Sequence, residues 1–356
     1  MTSVLVVDDS QFMRTVIGNI LADDGYEVYS ASDGKKAVEA VEEHAPDIVT
    51  MDVKMPGMDG IEAVSEIMST NPTPILMLSA HTEPGADATL DALSRGAVDF
   101  LAKPSGEVSP NIASLSDRLV AKVRAVSQAD ISSVPRDGTS SDDGVTDRDS
   151  DCDPEQTYVE HPTVVIGAST GGPKLVERIV TELPLALDAK ILVVQHMPES
   201  FTDRLAARLD RKTNYTVREA SDGEAVDDGD VVVAKGGYHM EVAVNVGGRI
   251  RIELTEGPRR HGVRPAIDVT MESAAARVRD PLCGVALTGM GKDGAAGIEA
   301  IHEAGGATIA QDEGTSPVFG IPKQAIETGC VDDVLPAGDI AAGICSAFTQ
   351  EGQTYG

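Results

Sequence analysis

The chain has 356 residues, more than one hydrophobic core usually serves, so two domains of roughly 100 to 200 residues each are expected. Asp and Glu (58) outnumber Lys and Arg (29), giving a formal net charge of −29 with no basic run, which argues against nucleic acid as a partner because phosphate binding needs clustered cations. The acidity and the absence of Trp suit a halophilic protein, whose carboxylates hold water at the surface while salt screens their repulsion.

The chain opens "MTSVLVVDDS", with no basic flank or cleavable apolar stretch, and no apolar run approaches membrane-spanning length. A cytoplasmic location without membrane insertion is expected. Cys152, Cys283, Cys330 and Cys345 are scattered with no CxxC pair, which predicts reduced thiols and no metal centre built on them.

Five short apolar runs come first: "SVLVVDD", "YEVYSAS", "DIVTMD", "TPILMLSA" and "VDFLAK", each separated from the next by a segment of helical spacing. This alternation predicts an α/β domain over residues 1–126, a doubly wound and mostly parallel sheet whose functional groups gather beyond the carboxyl ends of the strands. Asp8 and Asp9 end the first strand, Asp52 the third, Ser79 the fourth and Lys103 the fifth. Three carboxylates brought together repel, and a hard divalent cation such as Mg²⁺ relieves that repulsion through oxygen ligands. A carboxylate beside such a cation can accept a phosphoryl group, since metal and ammonium spread its charge. The alternative is that each Asp only caps the helix that follows it. "VLVVDDS", "DIVTMDVKMPGMDG", "LSA" and "FLAKP" resemble the receiver domain of two-component response regulators over residues 1–126. The resemblance implies a flavodoxin-like fold, Asp52 as phosphoacceptor, Asp8 and Asp9 as Mg²⁺ ligands with it, Ser79 and Lys103 on the phosphoryl group, and Phe100 in an aromatic switch.

Residues 127–160, "SQADISSVPRDGTSSDDGVTDRDSDCDPEQTYVE", are dense in Asp, Ser, Gly and Pro. Such a segment buries too little surface to offset its chain entropy and reads as an acidic, flexible linker.

Over residues 161–350 the βα pattern returns in "PTVVIGAS", "KILVVQHMP", "DVVVAKGG", "PLCGVALTGMG" and "GATIAQDE". The exception, "HMEVAVNVGGRIRIEL", alternates on both sides of Gly247 and Gly248 and predicts an antiparallel hairpin. A second doubly wound, Rossmann-like sheet is expected. Its first turn, "IGASTGGP", allows two readings. A dinucleotide site needs GxGxxG and an acidic residue at the end of the next strand, yet Ser169 replaces the second glycine and the next strand ends in Gln195 and His196. A nucleophilic hydrolase needs a hydroxyl, an imidazole and a carboxylate. Ser169, His196 and Asp293 each follow an apolar strand and so share one rim of the sheet, in a chain order unlike that of α/β-hydrolases. Spacing leaves His239, in "KGGYHMEV", as a rival imidazole, and each of the three residues also has a purely structural reading as a cap or a satisfied strand-end group.

"IGASTGGP", "VVQHMP", "GGYHMEV", "RPAIDVTMESAA", "LTGMGKDGAAG" and "AQDEGTSPVFGIPKQAI" resemble, in order, the catalytic domain of the chemotaxis protein-glutamate methylesterases, the CheB family, across nearly all of residues 161–345. That resemblance implies Ser169 as nucleophile, His196 as general base, Asp293 as its orienting carboxylate, and the backbone amide of Met290 as an oxyanion donor. The Thr170 amide, at a helix N-terminus, is expected to assist. One departure stands at Lys235 and Gly236, where the family usually has proline before the glycine; it bears on loop shape more than on chemistry. Hydrolysis of glutamyl methyl esters on chemoreceptors is implied, in some members with deamidation of receptor glutamines, without a cofactor in the esterase step. A chemotaxis histidine kinase is the implied phosphodonor, and methyl-accepting chemoreceptors are the implied substrate. The competing reading from another class is a non-catalytic, receiver-linked binding module.

Overall fold

The computed structural model describes residues 1–79, 83–103, 112–129 and 157–350. The chain folds as two units, Met1–Ser140 and Ser141–Gly356.

In the first unit the five apolar runs become β1 (Ser3–Val7), β2 (Glu27–Ala31), β3 (Ile48–Asp52), β4 (Ile75–Ser79) and β5 (Asp99–Ala102). They pair in parallel in the order β2-β1-β3-β4-β5, the flavodoxin-like arrangement. Parallel strands are covered on both faces, and accordingly Val4, Leu5, Val6 and Val7 are all fully buried. Helices α1 (Gln11–Asp23), α2 (Gly34–His44), α3 (Gly60–Thr70), α4 (Glu83–Ser94) and α5 (Ile112–Val126) fill the intervals. Their starts are set locally. Ser10 accepts from the Met13 amide, Asp33 from the Lys36 amide, and Asp59 and Glu62 form a reciprocal capping box on α3.

Of the expected linker, residues 130–156 lie outside the described residues, and so does Cys152. At its far end Tyr158 bridges to Thr349 in antiparallel sense, so this stretch packs with the end of the chain. Cys283 and Cys330 are free thiols, whereas Cys345 is disulfide-bonded, a departure from the expectation of reduced cysteines throughout.

The second unit contains β6 (Thr163–Ala168), α6 (Gly172–Glu182), β7 (Lys190–Gln195), α7 (Glu199–Asp210), β8 (Thr216–Glu219), β9 (Ala225–Val226), β10 (Asp230–Val233), β11 (His239–Val246) and β12 (Arg249–Thr255). It continues with α8 (Ile267–Arg277), β13 (Leu282–Ala286), α9 (Ala295–Glu303), β14 (Ala307–Gln311), α10 (Ile321–Glu327), β15 (Asp333–Leu335) and α11 (Ile340–Ala347). Seven parallel strands run in the order β15-β14-β13-β6-β7-β10-β8. The hairpin β11–β12 joins β9 in a separate antiparallel sheet of three strands. From β6 the chain winds outward through β7 and later returns to the other side at β13. The topological switch point therefore lies beside β6, where ligands of open α/β sheets bind.

Candidate active site

Ser169 follows β6, the central strand. The ladder aligns Ala168 with Gln195 of β7, and the His196 amide donates to Ala168 O at 3.0 Å, so Ser169 and His196 leave adjacent strand ends side by side. On the other flank the Ser169 amide donates to Thr288 O at 3.0 Å, just past β13. The turn Ser169–Gly172 is then pinned from three directions. Gln195 Nε2 donates to Ser169 O at 2.8 Å, the Gly172 amide donates to the same oxygen at 2.9 Å, and Thr288 Oγ1 donates to Thr170 O at 2.9 Å. A Cβ on Gly172 would stand 2.3 Å from Gln195 Oε1, so only glycine lets the helix start this close to β7. Gln195 occupies the place where a dinucleotide site would carry its ribose-binding acid. It is buried and committed to the Ser169 peptide.

His196 and Asp293 meet: Nε2 lies 2.8 Å from Asp293 Oδ2, with the ring and the carboxylate both largely buried. Burial pushes the Asp293 carboxyl up, but the His196 ring and the Asp268 and Ile267 amides outweigh it and hold the group below the usual carboxylate range. Those amides open α8; Ile267 N donates to Oδ2 at 2.8 Å and Asp268 N to Oδ1 at 3.0 Å. With Nε2 on Asp293, the ring nitrogen left to take a proton is Nδ1. Among the described residues no hydrogen bond joins Ser169 Oγ to His196. Such contacts commonly tighten only when substrate is bound.

The rival imidazole is engaged on both sides by backbone groups. His239 is buried, receives the Ala266 amide at Nδ1 (3.2 Å) and holds Pro258 O through Nε2 (3.0 Å), so both nitrogens are occupied by backbone. Lys235 and Gly236 pack against the segment that follows His196. Lys235 Nζ is 3.4 Å from Glu199, and a Cβ on Gly236 would meet the Glu199 amide at 2.3 Å.

Met290 is presented by a glycine approach. A Cβ on Gly289 would lie 2.6 Å from Ser169 Cβ and 3.0 Å from Ser169 N, so the backbone leading into Met290 runs against the serine. The Met290 amide donates to no acceptor among the described residues, whereas the flanking Gly289 carbonyl is held by the Gly320 and Ile321 amides. An amide fixed in place with its proton unused, next to a hydroxyl, is what an oxyanion site requires. Thr170, buried, stands at the approach to α6 with its carbonyl held by Thr288.

In the first unit, carboxylate oxygens of Asp8, Asp9 and Asp52 lie within 4.8 Å of one another. Lys103 Nζ bridges Asp8 Oδ2 and Asp52 Oδ1, each at 2.7 Å. Burial raises the Asp52 carboxyl above its ordinary value, Lys103 opposes this, and Asp8 adds to it. Three clustered oxygen ligands, still short of positive charge, fit a hard divalent cation. Ser79 is fully buried and faces α4: its hydroxyl donates to Gly85 O at 3.2 Å and accepts from Thr89 at 2.7 Å. Phe100 is buried, with Lys122 Nζ 5.9 Å from its ring centre.

Residues the sequence did not single out complete the frame. Gln311 Oε1 accepts from the Thr288 amide at 2.9 Å, as Gln195 holds Ser169 from the other side. Asp268 stands behind Asp293. The available signal for Gln311 was position, since it ends β14 just as Gln195 ends β7.

The family model described as CheB methylesterase matches residues 164–344, and that described as response regulator receiver domain matches residues 4–109. A protein-glutamate methylesterase/protein-glutamine glutaminase of Haloarcula marismortui is 52% identical over 360 residues, covering 98% of both chains. The protein of the same name from Halobacterium salinarum is 51% identical over 352 residues, covering 98% of this chain and 99% of its own. The crystal structure of the Thermotoga maritima CheB methylesterase catalytic domain is similar with a TM-score of 0.50 and 43% identity, covering 52% of this chain and 97% of that one. With both family models matched in order and relatives aligned along nearly its whole length, the chain belongs to the CheB methylesterase family, with a response-regulator receiver domain ahead of the methylesterase domain.

Proposed function

We propose that Ser169, His196 and Asp293 carry the hydrolysis of glutamyl methyl esters on chemoreceptors, under control of phosphorylation at Asp52. The chain is a protein-glutamate methylesterase of chemotaxis, named in its relatives together with protein-glutamine glutaminase. The observation that carries the residue assignment is the 2.8 Å contact of His196 and Asp293 beside the end of β6, where Ser169 stands.

In the reaction His196 takes the Ser169 proton as Oγ bonds to the side-chain carbonyl carbon. The Met290 amide, assisted by that of Thr170, holds the oxygen that gains the electron pair. The intermediate collapses, the C–O bond to the methoxy group breaks, and His196 returns the proton so that methanol leaves. Water then attacks the acyl-enzyme by the same proton route. Glutamine would follow the identical path with ammonia as leaving group. Asp293, below the usual carboxylate range, stays ionised and stabilises the imidazolium formed in each step.

In the receiver, Asp8, Asp9 and Asp52 would hold Mg²⁺, which supplies neutralising charge for phosphoryl transfer. Lys103 places an ammonium on Asp8 and Asp52, where the three equatorial oxygens of a phosphoryl group would gather, and Ser79 would turn from α4 to contact one of them. Phe100 would report the change as the aromatic of the switch. A chemotaxis histidine kinase is the phosphodonor in this reading, and the reaction belongs in the cytoplasm, where receptor helices carry the esters. Among the described residues no helix is long and apolar enough to cross a membrane.

Methanol release from methylated receptor membranes, measured with and without a small phosphodonor, tests the reading. The wild type should release methanol faster with the phosphodonor, and Ser169→Ala should release none above background. An active Ser169→Ala protein would point to another nucleophile, and a wild type that releases none would leave only the binding-module reading.

A further inference from the structure

Behind the His196–Asp293 pair stands a second pair arranged as its mirror image. Asp268 Oδ2 lies 2.8 Å from His261 Nε2 and 3.5 Å from Arg260 Nε, and oxygens of Asp268 and Asp293 lie within 4.8 Å of each other. Both carboxylates are almost completely buried. Two anions this close inside a protein repel strongly unless the surroundings compensate.

The compensation is reciprocal. Helix α8 begins after Ala266 and α9 after Gly294, and neither of those capping residues supplies a side-chain oxygen. Instead each helix is capped by the other's acid. Asp293, in the loop before α9, accepts the Ile267 and Asp268 amides of α8. Asp268, in the first turn of α8, accepts the Gly294 and Gly297 amides of α9 at 2.8 Å each. A Cβ on Gly297 would stand 2.5 Å from Met271 Cβ, so the two helices meet close enough for the exchange. Each carboxylate thus lies at the positive end of a helix dipole while fixing where the other can stand.

We propose that Asp268 is a positioning residue of the esterase: its carboxylate, held from behind by His261 and Arg260, fixes Asp293 behind His196 and adds negative charge to the base. The inference rests on the assignment of His196 and Asp293 above. The charged and titratable groups facing Asp268 are Asp293 from the loop before α9, His261 and Arg260 from the loop before α8, and, through the bidentate contact of Arg260, Glu272 of α8. Of these Arg260 is the permanent cation, its charged form favoured first by Glu272 and then, against some burial, by Asp268. Asp268 therefore sets a carboxylate, paired with Arg260 and His261, close beside that of Asp293.

The test uses the full chain and methylated receptor membranes. Asp268→Asn keeps an oxygen for the Gly294 and Gly297 amides and removes the charge. It should lower kcat about tenfold or more with KM unchanged. The acid limb of kcat/KM should move to lower pH, since one negative charge favouring imidazolium is gone. A wild-type kcat overturns the proposal. So does an acid limb that stays in place or rises, because a merely structural loss reduces the amount of active enzyme without moving the limb. Asp293→Asn is measured beside it: if that variant keeps wild-type kcat, the triad assignment has failed, and if it is inactive while Asp268→Asn is normal, only the present inference has. Should Asp268→Asn not fold, His261→Gln, which leaves both caps intact, must lower kcat severalfold at unchanged KM; an unaffected kcat overturns the proposal.

Discussion

At the scale of single residues, the serine turn depends on a glycine more than a hundred positions away. Gly289 lets its strand end lie against Ser169, and a methyl group there would meet Ser169 Cβ and Ile321 Cδ1 at 2.6 Å, well inside contact distance. Either the serine moves or the loop carrying the Met290 amide does. If the Met290 amide is the oxyanion donor proposed above, in both cases it no longer faces the oxygen, and losing one such donor costs roughly a hundredfold in rate. Gly289→Ala is therefore expected to lower kcat for methanol release by about that factor, with KM little changed and with an overpacking cost of about 1–3 kcal/mol seen in urea melts. An Ala variant at full kcat would detach Met290 from the oxyanion role. The same scale separates the two candidate imidazoles. His196 keeps a nitrogen that backbone groups do not claim, whereas His239 spends both on Ala266 and Pro258. Cys283, though beside the central strands, is no competing nucleophile, for burial, with Asp332 and Asp333, pushes its thiol up to about 12.

At the scale of elements, strand β7 ends in the site and begins in an ion cluster. Lys190 is fully buried, its ammonium donating to His161 O at 2.9 Å and Asp228 Oδ1 at 2.8 Å, while His161 Nδ1 lies 2.5 Å from Asp228 Oδ2. Burial raises the Asp228 carboxyl, but Lys190 and His161 outweigh it and the net shift is downward. A carboxyl depressed in the folded state contributes stability that is fully present above its unfolded pKa, near 4, and lost as pH falls through the lower folded value. Removing one partner of a buried pair costs roughly 3–5 kcal/mol. Lys190→Met should thus destabilise the C-terminal unit by about that amount at pH 7 and by less at pH 3, in urea titrations, with Asp228→Asn added to it recovering most of the loss. The rate per folded molecule should not change, since about five residue rises, roughly 17 Å, separate Lys190 from the active end of the strand. Elements of this kind are legible as apolar runs bounded by turns, and all the strands that position Ser169, His196 and Asp52 can be read that way. β8, β9 and β15 cannot. They are two to four residues long, and β15, at the sheet edge, is largely exposed, so no period-2 pattern accumulates. Asp268 is equally hidden, because its helical spacing announces only α8, while its cap is made in trans across 26 and 29 positions.

At the scale of the whole molecule, two separate sheets each gather polar side chains at the carboxyl ends of their strands, and in the proposed scheme the signal enters at Asp52. The receiver pocket gathers three carboxylates, a donor set that suits a divalent cation. Its Asp52 carboxyl is raised by burial first, with Lys103 opposing and Asp8 reinforcing. A raised carboxyl means that the folded receiver binds the proton more tightly than the unfolded chain, so its stability declines as pH rises through the interval between the two values. A divalent cation reverses that decline, because it binds the ionised form and must displace the proton to do so. Millimolar Mg²⁺ should accordingly raise the receiver's melting transition more at pH 8 than at pH 4, near the carboxyl's ordinary value, in line with the mass-action gain for a ligand bound only by the folded state. Asp52→Asn removes one carboxylate of the cluster and, in the proposed scheme, the phosphoacceptor. Its transition should respond little to Mg²⁺, and its methanol release should stay at the rate the wild type shows without phosphodonor, however much phosphodonor is added. Stimulation that survives the substitution would mean that the signal enters elsewhere. A transition equally sensitive to Mg²⁺ in both proteins would mean that Asp8 and Asp9 hold the ion without Asp52.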